Sequence, residues 1–261
     1  MKNTILKHLP REFPWADRLH CYESLPSTNT LAKELAESGC PTGTVVIAGS
    51  QSAGRGRMGR SFSSPNGCGL YFSLVLRTGG KIPMHLTCAA GVAAAKAVEK
   101  VCGFRPGLKW INDLCFGNRK LGGILTEGAP LGEDPYFVVG IGINCRTPKD
   151  GYPEAIKEIA TSLSDACGKD VSPESLAAAL MEELFLVSET LETEKAGIMA
   201  FYEENCITLG KEIQVIKGDS VRPAKAISLD ENGGLMVEYP DGTQETVNSG
   251  EVSVRGMYGY L

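Results

Sequence analysis

Long apolar runs are missing from this chain. Nowhere do about 18 hydrophobic residues follow one another, so no segment reads as a membrane-spanning helix. Histidine is scarce: His8, His20 and His85 are the only three, far apart and without metal-ligand spacing. The nine cysteines are odd in number and contain no Cys-x-x-Cys pair, which argues against a disulfide framework or a zinc site. Free thiols and the lack of a signal-peptide pattern in residues 1–7 lead us to expect a cytoplasmic protein. Basic residues are outnumbered, 26 Lys and Arg against 31 Asp and Glu. A net charge of −5 speaks against non-specific binding to nucleic acid, and residues 1–20, broken by Pro10 and Pro14, are too short for a helix-turn-helix module. No Gly-x-x-x-x-Gly-Lys-Ser/Thr phosphate loop occurs, and no Ser-His-Asp or Cys-His arrangement can be read.

What the chain does have is a local excess of positive charge. After the β-branched run Val45-Val46-Ile47-Ala48, which reads as a buried strand, comes Gln51-Ser52-Ala53-Gly54-Arg55-Gly56-Arg57-Met58-Gly59-Arg60. Glycine lets backbone approach a ligand closely, and arginine supplies permanently charged forks for carboxylate or phosphate. Gly54-x-Gly56-x-x-Gly59 also matches the dinucleotide-binding fingerprint, which demands that a helix open at once. The continuation Ser61-Phe62-Ser63-Ser64-Pro65-Asn66-Gly67 is turn chemistry, so that reading is rejected.

Elsewhere the pattern predicts alternating strands and helices. Strands are expected at 21–25, 70–76, 107–111, 121–127 and 137–144, and helices at 31–38, 85–101, 153–160, 173–191 and about 195–206. Ser27, Thr28 and Asn29 precede the first of these helices and read as caps; three small polar groups there could equally bond a ligand. From Lys211 the chain turns to short strands separated by Gly218-Asp219, Asn232-Gly233-Gly234 and Asp241-Gly242, the spacing of a small β-barrel. The glycine-rich strand ends carry cations and amides that suit phosphoryl or nucleotidyl transfer.

Five motifs in register make this chemistry specific. Ser27-Thr28-Asn29, the Gln51–Arg60 stretch, Lys109-Trp110-x-Asn112-Asp113, Arg119-Lys120-Leu121-x-Gly123-Ile124-Leu125 and Gly140-x-Gly142-x-Asn144 stand in the order and rough spacing of the biotin–protein ligases. Gly250-Glu251-Val252-Ser253-Val254-Arg255 extends the likeness towards the C-terminus, and the whole resembles the short form of that family, without an N-terminal DNA-binding domain.

The resemblance implies an α+β fold: an SH2-like mixed sheet flanked by helices over residues 1–208, then an SH3-like barrel over 209–261. It implies that biotin and ATP form biotinyl-5′-adenylate and that a lysine of a biotin carrier protein then takes the biotin. Biotin contacts would fall to Ser27, Thr28, Asn29, Gln51, Gly54, Arg55, Gly56, Arg57, Lys120 and Gly123. The adenylate would meet Arg55, Arg57, Arg60, Phe62, Asn112, Asn144 and Arg255, with Arg57, Lys120, Lys109 and Asp113 as the catalytic set. Mg²⁺ would come with the nucleotide and no resident metal is expected; nor is DNA or a membrane, and the protein would be a monomer or homodimer. Three positions depart from the family pattern: Phe62 for tryptophan, Met58 for a basic residue and Ile111 for proline. A lipoate or octanoate ligase-like enzyme and a non-enzymatic nucleic-acid-binding regulator stand as the alternatives.

Overall fold

Apolar side chains on both sides of a strand demand cover on both sides of its sheet, and that requirement builds the larger part of the molecule. The computed structural model describes residues 1–79, 83–129, 135–248 and 253–256. In chain order the elements are α1 (Lys2–His8), β1 (Leu19–Tyr22), α2 (Thr28–Glu37), β2 (Thr44–Ala48), β3 (Gly69–Arg77), α3 (Leu86–Cys102), β4 (Gly107–Lys109), β5 (Asp113–Phe116), β6 (Arg119–Ala129) and β7 (Tyr136–Asn144). Then follow α4 (Leu163–Cys167), α5 (Pro173–Thr190), α6 (Lys195–Glu204), β8 (Glu212–Lys217), β9 (Ser220–Leu229), β10 (Leu235–Glu238), β11 (Gln244–Val247) and β12 (Ser253–Gly256).

The first seven strands form one mixed sheet in the order β1-β2-β3-β7-β6-β5-β4, in which only β1 and β2 run parallel. Alternation divides its side chains cleanly. Val45, Ile47, Leu70, Phe72, Leu74, Val139 and Ile141 join the large core beneath α3 and α5, whereas Val46, Val75 and Val138 join a small one beneath α2. Alanine-rich α3 has twelve of its seventeen residues buried, which marks an interior helix rather than an amphipathic surface one. Gly103 ends it in the left-handed conformation, its N–H bonded to Glu99 O.

Three expectations need correction. The first strand runs over Leu19–Tyr22 rather than 21–25. Residues 153–160 form successive turns, not a helix, because neighbouring backbone is claimed by β6: Lys120 N donates to Ile159 O and Thr161 N to Lys120 O. The short α4 just beyond it was not foreseen; Ser162 caps it by accepting from Asp165 N. The strand expected over 107–111 stops at Lys109, because Trp110 turns away: its N–H donates to Thr208 Oγ1 and its Nε1 to Gly233 O.

The last five strands form an antiparallel sheet in the order β11-β10-β9-β8-β12. Ile213, Val215, Ala224, Leu235 and Val237 belong to the same hydrophobic cluster as the large core. Gly233, at φ 84°, docks its turn on α3, where a Cβ would lie 2.7 Å from Cys88 Sγ. Gly250, Glu251 and Val252, part of the terminal motif, lie outside the described residues.

Trp110→Phe removes the indole N–H that bonds Gly233 O and leaves a buried carbonyl without that donor. We expect urea unfolding to show a loss of about 1–3 kcal/mol. Unchanged stability would mean that the indole bond to Gly233 O does not help to hold the two sheets together.

Candidate active site

The cleft follows from the register of four strands. Directly paired residues of antiparallel strands point to the same face. On the α2 side this gives three rows across the sheet: Thr44, Val75, Val138 and Glu127; then Val46, Ser73, Gly140 and Leu125; then Ala48, Tyr71, Gly142, Gly123 and Asp113. Ten-residue α2 is about 15 Å long, whereas a seven-stranded sheet is about 29 Å across, so the helix covers only part of that face. Where it stops, glycines replace side chains, and an open cleft of about 140 Å³ remains.

At its inner end lies a chain of buried polar groups. Thr28 N and Oγ1 both donate to Gln51 Oε1, and Gln51 Nε2 donates to Ser64 Oγ. Beneath them Ser73, fully buried in the apolar run of β3, has its Oγ 2.8 Å from Thr28 Oγ1 and 2.6 Å from Asn29 Oδ1. Asn29 Nδ2 reaches across to Leu125 O and Glu127 Oε2. The capping expected of Ser27 is therefore not made: its side chain accepts no bond from the helix, and Thr28 and Asn29 turn into the cleft.

The glycine–arginine stretch forms a small hairpin over the cleft mouth. Phe62 N donates to Gly54 O, Gly56 N donates to Arg60 O, and Arg55 pairs with Ser61. A Cβ at Gly54 would collide with Phe62 O, which explains glycine there. No helix follows the hairpin, and the next element is strand β3, so the helix that a dinucleotide fingerprint requires is not there. Phe62 lies over Gly142, where a Cβ would come within 2.6 Å of the ring, and stands edge-on to Tyr71. Arg57 crosses to the β4–β5 turn and donates to Asn112 Oδ1 at 2.9 Å. Burial lowers the Arg57 pKa, against the pull of Asp113.

The far end is charged. Lys120 Nζ meets Asp113 Oδ1 at 2.6 Å, and Lys109 pairs with Asp113 across β4 and β5. Burial pushes the Lys109 ammonium below its ordinary value; the Asp113 and Cys115 charges oppose this, while Lys120 and Arg255 reinforce it. Among the described residues that line the cleft, Asp113 is the one carboxylate. No cluster of three His, Cys, Asp or Glu residues among the described residues could hold a metal ion.

Ser27, Thr28, Asn29, Gln51, Arg55, Gly56, Arg57, Arg60, Phe62, Asn112, Asp113, Lys120 and Gly123 thus share one cavity wall. Gly54 and Lys109 are not part of that wall but pair with residues that are, Gly54 with Phe62 and Lys109 with Asp113. Asn144 does not line the cleft; its Nδ2 donates to Thr161 O, tethering the segment that pairs with Lys120. Arg255 is exposed on β12 opposite Gln214, outside the cleft wall but within reach of Lys109 by charge. Sequence reasoning missed Ser73, Tyr71 and Glu127. A lone hydroxyl inside Leu70-Tyr71-Phe72-Ser73-Leu74-Val75-Leu76 was the available signal for the first.

Residues 21–144 match the family described as Biotin/lipoate A/B protein ligase family, and residues 208–255 match Biotin protein ligase C terminal domain. The chain is 33% identical to Bifunctional ligase/repressor BirA of Bacillus spizizenii, over 85% of its own length and 69% of that protein's. It is 31% identical to Biotin--[acetyl-CoA-carboxylase] ligase of Paracoccus denitrificans, covering 84% of this chain and 93% of the relative. Among solved structures, biotin protein ligase from Aquifex aeolicus in complex with biotin and ATP superposes with a TM-score of 0.80 at 30% identity, covering 91% of this chain and 98% of that one.

Gly140→Ala would drive a methyl into Asn29 Oδ1 and break the bond to Ser73. Leaving that buried hydroxyl short of a partner is expected to cost about 1–3 kcal/mol in urea unfolding. Wild-type stability would show instead that α2 shifts to make room.

Proposed function

This chain belongs to the biotin protein ligase family, and from that premise we propose how its cleft divides the work. The protein is a ligase that activates biotin with ATP and passes it to a lysine of a carrier protein. One observation carries the assignment of residues: neutral hydrogen-bonding groups line one end of the cleft and cations the other. A ureido ring offers both donors and acceptors, so Ser27, Thr28, Asn29 and Gln51 suit the biotin head group. Gly56 and Gly123 leave room for the ligand beside them, and Gly54 lets the hairpin close on Phe62 O. Lys120 then receives the carboxylate and the α-phosphate, with Arg55, Arg57, Arg60, Phe62 and Asn112 towards the adenylate.

In the first step the biotin carboxylate attacks the α-phosphorus and pyrophosphate leaves. The carboxylate is already ionised at neutral pH, so no general base is needed. Lys120, Arg57 and Lys109 meet the negative charge that gathers on the transferring group. In the second step a lysine amine attacks the acyl carbon and AMP departs. Asp113, the one carboxylate among the described residues of the cleft wall, takes up the proton that the amine must lose. Mg²⁺ enters as part of the nucleotide substrate, carried by its phosphates, since the cleft offers one carboxylate rather than a cage.

Residues 1–208 hold both ligands in this reading, and 209–261 assist ATP use through Arg255 beside Lys109. The acceptor is a carboxylase biotin carrier domain, and the reaction takes place in the cytoplasm on a monomer or homodimer, with no part for DNA. No described helix is long and apolar enough to cross a membrane.

Labelled biotin, a carrier domain and ATP test the reading directly: label should enter the carrier only with ATP. Incorporation of lipoate but not biotin would overturn it. Lys120→Ala should slow pyrophosphate release by on the order of 100-fold, about 3 kcal/mol, and slow transfer from preformed adenylate less. Arg255→Ala should raise the KM for ATP and leave biotin affinity nearly unchanged; equal loss for both ligands would count against the split between the two segments.

A further inference from the structure

One half-buried carboxylate beside the cleft takes no part in the chemistry above. Glu127 lies on β6, in the row with Val138 and Val75, one row from Ser73 and Gly140. Its side chain is 17% exposed and accepts from three directions. Asn29 Nδ2 donates to Oε2 at 3.0 Å, while Lys33 Nζ and Arg55 Nη2 meet Oε1 at 2.8 and 2.9 Å. These donors come from the first turn of α2, its second turn and the glycine–arginine hairpin. Arg55 stands between Gly54 and Gly56, which have no side chains to anchor that hairpin.

We propose that Glu127 is a positioning residue, a latch that holds the glycine–arginine hairpin across the cleft through Arg55 and orients the Asn29 amide towards the ligand. The proposal rests on the reading of the cleft as the biotinyl-adenylate site. Two cations converge on one carboxylate, so its charge matters as well as its shape. Burial raises the Glu127 pKa, but bonds from Asn29 and Lys33 and the charges of Lys33 and Arg55 outweigh it and hold the group below its ordinary value. Glu127 is thus ionised at neutral pH and can hold both ends of the latch together. A conventional surface pair would link two side chains; this one links the cover of the cleft to its floor.

Glu127→Gln keeps the shape and removes the charge. Two rates read the latch: trypsin cleavage within the hairpin of the native protein, and escape of biotinyl-adenylate from the enzyme. Both should rise about fivefold, the size expected of one partly exposed ion pair, while the melting temperature stays near that of the wild type. Arg55→Ala, at a largely exposed side chain, should have the same effect on escape and on cleavage after Arg57 and Arg60. Combining the two substitutions should add nothing further. Wild-type rates in Glu127→Gln, or effects that multiply in the double variant, would overturn the latch. If Glu127→Gln does not fold, trypsin cleavage after Arg57 and Arg60 in unliganded Arg55→Ala decides, because Arg55 also faces the adenylate and its loss speeds escape by itself. A wild-type cleavage rate there overturns the latch. If the wild type forms no adenylate, the functional reading fails, and trypsin cleavage still decides for or against the latch.

Discussion

Much of what this cleft offers a ligand hangs from one buried hydroxyl. Ser73 has no exposure to solvent and sits in a strand that is otherwise apolar, where an unsatisfied hydroxyl would be costly. Thr28 and Asn29 satisfy it, and that fixes the start of α2 against β3. From there the order spreads outward: Thr28 fixes Gln51, Gln51 fixes Ser64, and Ser64 bonds back to Phe62 O at the base of the hairpin. In the other direction Asn29 fixes the approach to Leu125 and Glu127. A network of this kind is worth having only when complete, because its members are expensive to leave unpaired.

The cavity itself is a matter of missing atoms. Where α2 lies on the sheet, the rows carry Val46, Val75 and Val138, and the space is filled. Where the helix gives out, the next positions along the sheet carry Gly140, Gly142 and Gly123, and the space is left for something else. Each glycine borders a particular group: Asn29 over Gly140, Phe62 over Gly142, Lys120 beside Gly123. The motif glycines are thus shaped by neighbours distant in sequence more than by their own backbone angles.

The larger sheet and its helices were legible because continuous apolar strands and alanine-rich helices leave little choice of structure. Val45–Ala48, the 70–76 run and 137–144 each became a strand within a residue or two. What failed was local chemistry overruled by distant partners. Ser27, Thr28 and Asn29 look like caps in isolation, yet Gln51 and Ser73 claim Thr28 and Asn29. Residues 153–160 have a helical pattern, yet Lys120 takes their backbone. Most of the cleft wall was legible as motifs, since each sits on a turn or strand end with its own signature. Glu127 was not, because its partners lie 72 to 98 residues away. Asn144 was expected at the adenylate; in the structure its amide donates to Thr161 O, outside the cleft wall.

Trp110 and Gly233 tie a fifty-residue β-sheet into the core of its larger neighbour, with Cys88 of α3 packed beneath the turn. Such a segment cannot behave as a bead on a string. Its loss would uncover apolar surface at the base of β4, the strand that carries Lys109. A variant cut before this segment would therefore need new polar groups or new cover at the β4 end of the larger sheet to stay folded.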